Sequence, residues 1–176
     1  MNESEGLWVC SDIAPDGTYV VTVNLDDDLA FTLDETDTFR YIRYIWDVVA
    51  RAEHDAAVVA QLKDLVGLEL DELAMALKDI RTEHRPLPIA SEWPVSFVGM
   101  VSHRDLIPRV TIHMKGKPVG QVDTADLIGH AVGVMDALAT VDLDAGYYTW
   151  LVTECGLPEH SARGAVGALY RYRHRT

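Results

Sequence analysis

The chain has 176 residues, 48% of them hydrophobic and 24% charged, with a formal net charge of −13. That is the composition of an ordinary globular protein, and the lack of any uncharged apolar run of about 18 residues excludes a membrane-spanning helix. So negative a charge argues against a general nucleic-acid binder or a membrane-surface protein, because both partners are anionic.

In chain order, Leu7–Ile13 is a short apolar run and Thr18–Leu25 is β-branched and partly alternating, so both are expected as strands. Asp26, Asp27 and Asp28 read as a hairpin turn leading to a third strand. Asp34 stands where a helix N-cap is needed, with Asp37 three residues on, and Phe39, Ile42, Ile45, Trp46 and Val49 follow at helical spacing. A second helix is expected from near Asp55 to Gly67, and a third from about Glu69 to Thr82. The segment Thr82–Pro94, with Pro86, Pro88 and Pro94, reads as a linker.

The same order then recurs. Val95–Ser102 and Arg109–Met114 are expected strands, with Lys115, Gly116 and Lys117 as the following turn. Asp123 and Asp126 take the capping positions, and Ile128, Ala131, Val134, Met135 and Leu138 form the apolar face behind them. A second helix is expected from Asp144 to Gly156, and a third from Pro158 to about Tyr172. An ungapped shift of 89 residues lays Trp8–Asp79 over Phe97–Ala168 with fourteen identities, among them Asp34/Asp123, Asp47/Asp136, Asp55/Asp144 and Gly67/Gly156. The expected architecture is α+β, a tandem duplication of a βββααα unit. Its units would be residues 1–82 and 95–176, joined by residues 83–94. A three-stranded sheet with one covered face is marginal alone, so the units are expected to pack as a pseudo-dimer.

Charge divides unevenly between the halves. Residues 1–89 hold 19 acids against 7 Lys and Arg, and residues 90–176 hold 9 against 8. The acidic side chains Asp26, Asp27, Asp28, Glu69, Asp71 and Glu72 are therefore candidates for meeting a protein partner with a basic surface. A second candidate is an aromatic patch of Tyr44, Tyr147, Tyr148 and Trp150, residue types that dominate interface energetics. The last two helices of each unit also fit a helix-turn-helix template. Arg163, Arg171, Arg173 and Arg175, interleaved with Tyr170 and Tyr172, could contact phosphates and stack on bases.

Conventional catalysis finds no support. The seven histidines and the cysteines Cys10 and Cys155 show no zinc-ligand spacing, no CxxC and no nucleophile setting. No GxSxG elbow occurs. Gly129, Gly133, Gly164 and Gly167 lie at helical spacing, which suits close helix packing better than a phosphate loop. Cys155 reads as a small buried apolar residue. Without a disulfide framework or a leader-like start in MNESEGLWVCSD, a cytoplasmic location is expected. The leading expectation is a protein-binding module that needs no cofactor or metal and has no catalytic activity, in the manner of an inhibitor, immunity, adaptor or chaperone-like protein. The alternative is a nucleic-acid-binding regulator using the basic C-terminal helix.

Overall fold

A computed structural model describes residues 8–13, 18–26, 29–84, 93–102 and 105–173. The first half holds strands β1 (Trp8–Ile13), β2 (Tyr19–Asp26) and β3 (Leu29–Leu33), then helices α1 (Glu35–Val66) and α2 (Leu70–His84). The second holds β4 (Val95–Val101), β5 (Pro108–Met114) and β6 (Lys117–Asp123), then α3 (Thr124–Thr153) and α4 (Glu159–Arg173). The fold is α+β, with two three-stranded antiparallel sheets of order β1-β2-β3 and β4-β5-β6.

Local chemistry accounts for most element boundaries. Asp34 caps α1: its carboxylate accepts the Asp37 N–H at 2.8 Å, and its carbonyl accepts the Thr38 hydroxyl at 2.6 Å. Lys115 and Gly116 both have positive φ, 49° and 77°, between the paired residues Met114 and Lys117. That is the two-residue mirror-image turn whose twist suits a hairpin. Asp105 closes the β4–β5 connection, accepting the Ile107 N–H at 3.1 Å and pairing with Arg109 at 3.3 Å. Gly67 and Gly156 both have positive φ just past the ends of α1 and α3. At Gly156, the reversal lets the Leu157 N–H bond back to the Leu151 carbonyl at 3.0 Å.

The helices differ from the sequence reading. Each half has two helices, not three, because α1 runs unbroken for 32 residues and α3 for 30. Asp55 and Asp144, read as helix starts, lie in the helix interiors. Aspartate is a weak helix former but breaks no i→i−4 bond, and no proline interrupts either segment. Asp144 is also buried, so tertiary surroundings rather than a cap explain it.

The chain groups into two compact units. Residues 1–40 cluster with residues 132–176, and residues 41–131 form the other unit. In the first unit, the core draws on Val21, Val23 and Leu33 of the sheet and Val134, Val141, Ala162 and Val166 of α3 and α4. In the second, β4–β6 contribute Val95, Phe97 and Val110, and α1 contributes Tyr41, Ile45, Val48, Ala52 and Val59. Each sheet thus clusters with long-helix residues from the other half of the sequence.

Gly99 sets how closely α1 approaches β4. A Cβ there would stand 3.0 Å from the Ala52 Cβ and 3.2 Å from the Val48 carbonyl oxygen. By contrast, a Cβ added at Gly129, Gly133, Gly164 or Gly167 meets nothing within 4 Å, so these glycines do not serve close helix packing. Cys155 is exposed rather than buried, since it follows the last turn of α3; Cys10 is buried on β1. Replacing Gly99 by Ala must push α1 off the sheet and is expected to cost about 1–3 kcal/mol in urea unfolding. Gly129→Ala, on an open helix surface, is expected to stabilise by about 0.5–1 kcal/mol in the same assay.

Candidate functional site

The acidic candidates fall in both units. Asp26 ends β2 in the first unit, whereas Glu69, Asp71 and Glu72 lie at the start of α2 in the second. Asp27 and Asp28 lie outside the described residues, as does the side chain of Asp26. The three α2 residues are exposed and act locally. The Glu72 carboxylate accepts the Glu69 N–H at 3.2 Å, and the Asp71 carboxylate accepts the Glu72 N–H at 3.2 Å. Negative charge beside free N–H groups at a helix start is stabilising, which accounts for the acids there.

The aromatic candidates also fall in both units. Tyr44 is a correction: it is buried in the second unit, with its hydroxyl engaged on the β4 backbone. It accepts the Phe97 N–H at 2.9 Å and donates to the Phe97 carbonyl at 3.2 Å. Those two groups lie on the outer edge of the sheet, where unpaired backbone would otherwise be available to another strand. Beside it, the Tyr41 hydroxyl and His130 Nε2 share a hydrogen bond of 3.1 Å, and Tyr41 meets Trp93 edge-on with ring centroids 5.1 Å apart. Burial pushes the Tyr41 phenol up and holds the His130 imidazole down at about 4.

Tyr147, Tyr148 and Trp150 belong to α3 in the first unit. Tyr148 is half-buried. Its ring lies 6.3 Å from that of Tyr19, and the Arg163 guanidinium carbon of α4 sits 5.7 Å from its centroid. Among the described residues, the buried Tyr19 hydroxyl has no hydrogen-bond partner. Desolvation raises its pKa, helped by nearby Asp144 and Tyr148 and opposed by Arg163. The exposed Arg163 therefore contributes to holding α4 against α3 through a cation–π contact of about 0.5–1 kcal/mol. The side chains of Arg171 and Arg173, and all of Arg175, lie outside the described residues.

Tyr147 and Trp150 turn outward, and they are not alone. Along the outer face of α3 stand Val132, Met135, Leu143, Tyr147 and Trp150, exposed by 50, 42, 57, 47 and 55%. With exposed Ala139 they follow at steps of three and four residues, one continuous stripe about 27 Å long at about 1.5 Å per residue. The inner face of the same helix holds Val134, Ala137, Leu138 and Val141, all buried. α3 is therefore apolar on both sides, and across its 30 residues it has no Lys or Arg. α1 mixes charge into its exposed positions: they include Arg43, Asp47, Glu53, His54, Gln61 and Lys63 beside Phe39, Trp46, Leu65 and Val66. The exposed face of α3 from Val132 to Trp150 carries no such mixture of charges: its charged positions are Asp136 and Asp142.

The sequence reading placed Met135 on the buried face of its helix, whereas it is 42% exposed, and it singled out neither Val132 nor Leu143. The absence of basic residues from Thr124 to Thr153 was the available signal. Among the described residues, no group of three His, Cys, Asp or Glu could hold a metal ion, and no helix is long and apolar enough to cross a membrane. Compared with known proteins, the chain matches no family model, no curated protein and no solved structure.

Two substitutions test the buried polar groups of the second unit. Tyr44→Phe strands the Phe97 N–H and carbonyl and is expected to cost about 1–3 kcal/mol in urea unfolding. The folded pKa of His130 lies below its unfolded value of about 6.5, so its contribution is full above that pH and falls away as pH drops toward 4. His130→Gln keeps a hydrogen-bonding group but does not titrate. Urea unfolding at pH 7 and pH 4 is expected to show the wild type losing about 2–3 kcal/mol more than this variant, from about 1.4 kcal/mol per pKa unit.

Proposed function

We propose that this chain is a protein-binding module whose partner docks on the outer face of α3. The observation that carries this reading is the stripe of Val132, Met135, Leu143, Tyr147 and Trp150, each more than two-fifths exposed on a helix whose opposite face already forms core. Exposed Trp and Tyr amid aliphatic side chains are what interface hot spots are made from. The acidity of the chain supplies long-range attraction toward a basic partner, which acts mainly on encounter rate and selectivity.

The same reading takes the chain as a tandem duplication in which each sheet is covered by the other copy's long helix. Element starts support it: Tyr19 and Pro108, Glu35 and Thr124, and Leu70 and Glu159 open corresponding elements, each pair 89 residues apart. Tyr41 and His130, which share a hydrogen bond, are separated by the same interval. On this alignment Arg43, His54 and Gln61 of α1 correspond to Val132, Leu143 and Trp150 of α3. The two copies have diverged on their outer helix faces, one remaining solvated and the other becoming the docking surface.

A site-specific photo-crosslinker tests the reading in cells. With benzoylphenylalanine at position 147, a discrete crosslinked protein is expected, and it disappears when Leu143→Asp is added. The same group at position 72, in the acidic cluster of α2, is expected to capture nothing discrete. Crosslinking from position 72 and not from position 147 overturns the assignment of the surface and returns it to the acidic residues. Leu143 is 57% exposed, so Leu143→Asp is expected to leave the thermal midpoint within about 2 °C of wild type.

A further inference from the structure

We infer that the outer face of α3 receives a basic amphipathic α-helix of another protein. The inference rests on the binding-module reading and adds the conformation and charge of the docking segment.

Conformation follows from hydrogen bonding. Inside α3 every backbone N–H and C=O beneath the stripe is used in its own helix, so the surface offers side chains alone. A segment laid on it must satisfy its backbone internally once water is displaced. An α-helix does this and an extended strand does not. A stripe of about 27 Å matches a helix of about 18 residues, which would place its apolar residues against α3 at i, i+3, i+4 and i+7.

Charge follows from the aspartates on this face. At about 100° per residue, Val132, Leu143 and Trp150 project in nearly one direction; Asp136 projects about 40° from them, among the apolar side chains of the stripe, and Asp142 about 80° to the other side, at its border. Both aspartates are exposed, and Glu154 and Glu159 continue the acidic border beyond the helix end. No Lys or Arg on α3 balances them. A docked helix with Lys or Arg beside its apolar residues would meet the Asp136 carboxylate within the stripe and the Asp142 carboxylate at its border. A second copy of α3 in the same place would bring aspartates against aspartates with no cation from either helix, a repulsion that strengthens as water is removed.

Labelled synthetic peptides test this with the full-length chain. One is an 18-residue helix with a leucine stripe flanked by lysines, the second replaces every lysine by glutamate, and the third scrambles the first without changing composition. Anisotropy titration at about 150 mM salt is expected to show the first binding at least about tenfold more tightly than the other two. Leu143→Asp is expected to reduce it to the scrambled level. Asp136→Asn with Asp142→Asn is expected to narrow the preference for lysine over glutamate flanks. Equal binding of the scrambled peptide overturns the amphipathic helix, and equal binding of the glutamate peptide overturns the charge argument. Binding by none overturns the inference as a whole. A wild-type dimer in sedimentation that Leu143→Asp makes monomeric overturns it in favour of a second copy. If the peptides fail while crosslinking from position 147 still captures a partner, this inference falls and the binding-module reading stands; if both fail, both fall.

Discussion

A helix can turn only part of its circumference toward one three-stranded sheet, and everything distinctive about this molecule follows from that limit applied to thirty-residue helices. α1 and α3 each extend for eight turns or more without a proline, far beyond what a sheet of five- to eight-residue strands needs. The outer faces must therefore be solvated or partnered. α1 solves the problem with Arg43, Asp47, Glu53 and Lys63. α3 has apolar residues on both faces, and its outer stripe is the feature for which internal packing offers no explanation.

The second unit shows how a small core holds buried polar groups. Tyr44 places its hydroxyl against both backbone groups of Phe97, so an edge strand is closed by a side chain rather than by another strand. Tyr41 and His130 satisfy each other within a wall of aromatic rings. In each case the aromatic body is buried and the polar tip finds one fixed partner, which ties helix to sheet in a single register. The first unit is less complete. Among the described residues, the buried Tyr19 hydroxyl is unbonded, and Tyr148 meets the Tyr19 ring and the Arg163 guanidinium.

Local signals served well wherever the backbone itself was the constraint. The strands, the Lys115–Gly116 turn, the Asp34 cap and the helix-ending Gly67 and Gly156 each depend on a few adjacent residues, and each was legible. Asp55 and Asp144 misled because an aspartate that could cap a helix can equally sit within one when its surroundings accept it. Tyr44 misled because tyrosine is a residue type that dominates interfaces, yet a helix sends Tyr41, Tyr44 and Trp46 in different directions, and two of the three are buried.

By itself the sequence determined the six strands, the Lys115–Gly116 turn, the Asp34 cap, the helix-ending glycines and the uneven charge. These are short-range consequences of backbone preference and side-chain period. Tertiary structure alone decided that each sheet clusters with long-helix residues from the other half, that Tyr44 closes the β4 edge, and that the outer face of α3 stays open. Which of two apolar faces of a helix becomes core depends on the sheet it meets, and for α3 that sheet is β1–β3, more than a hundred residues earlier in the chain.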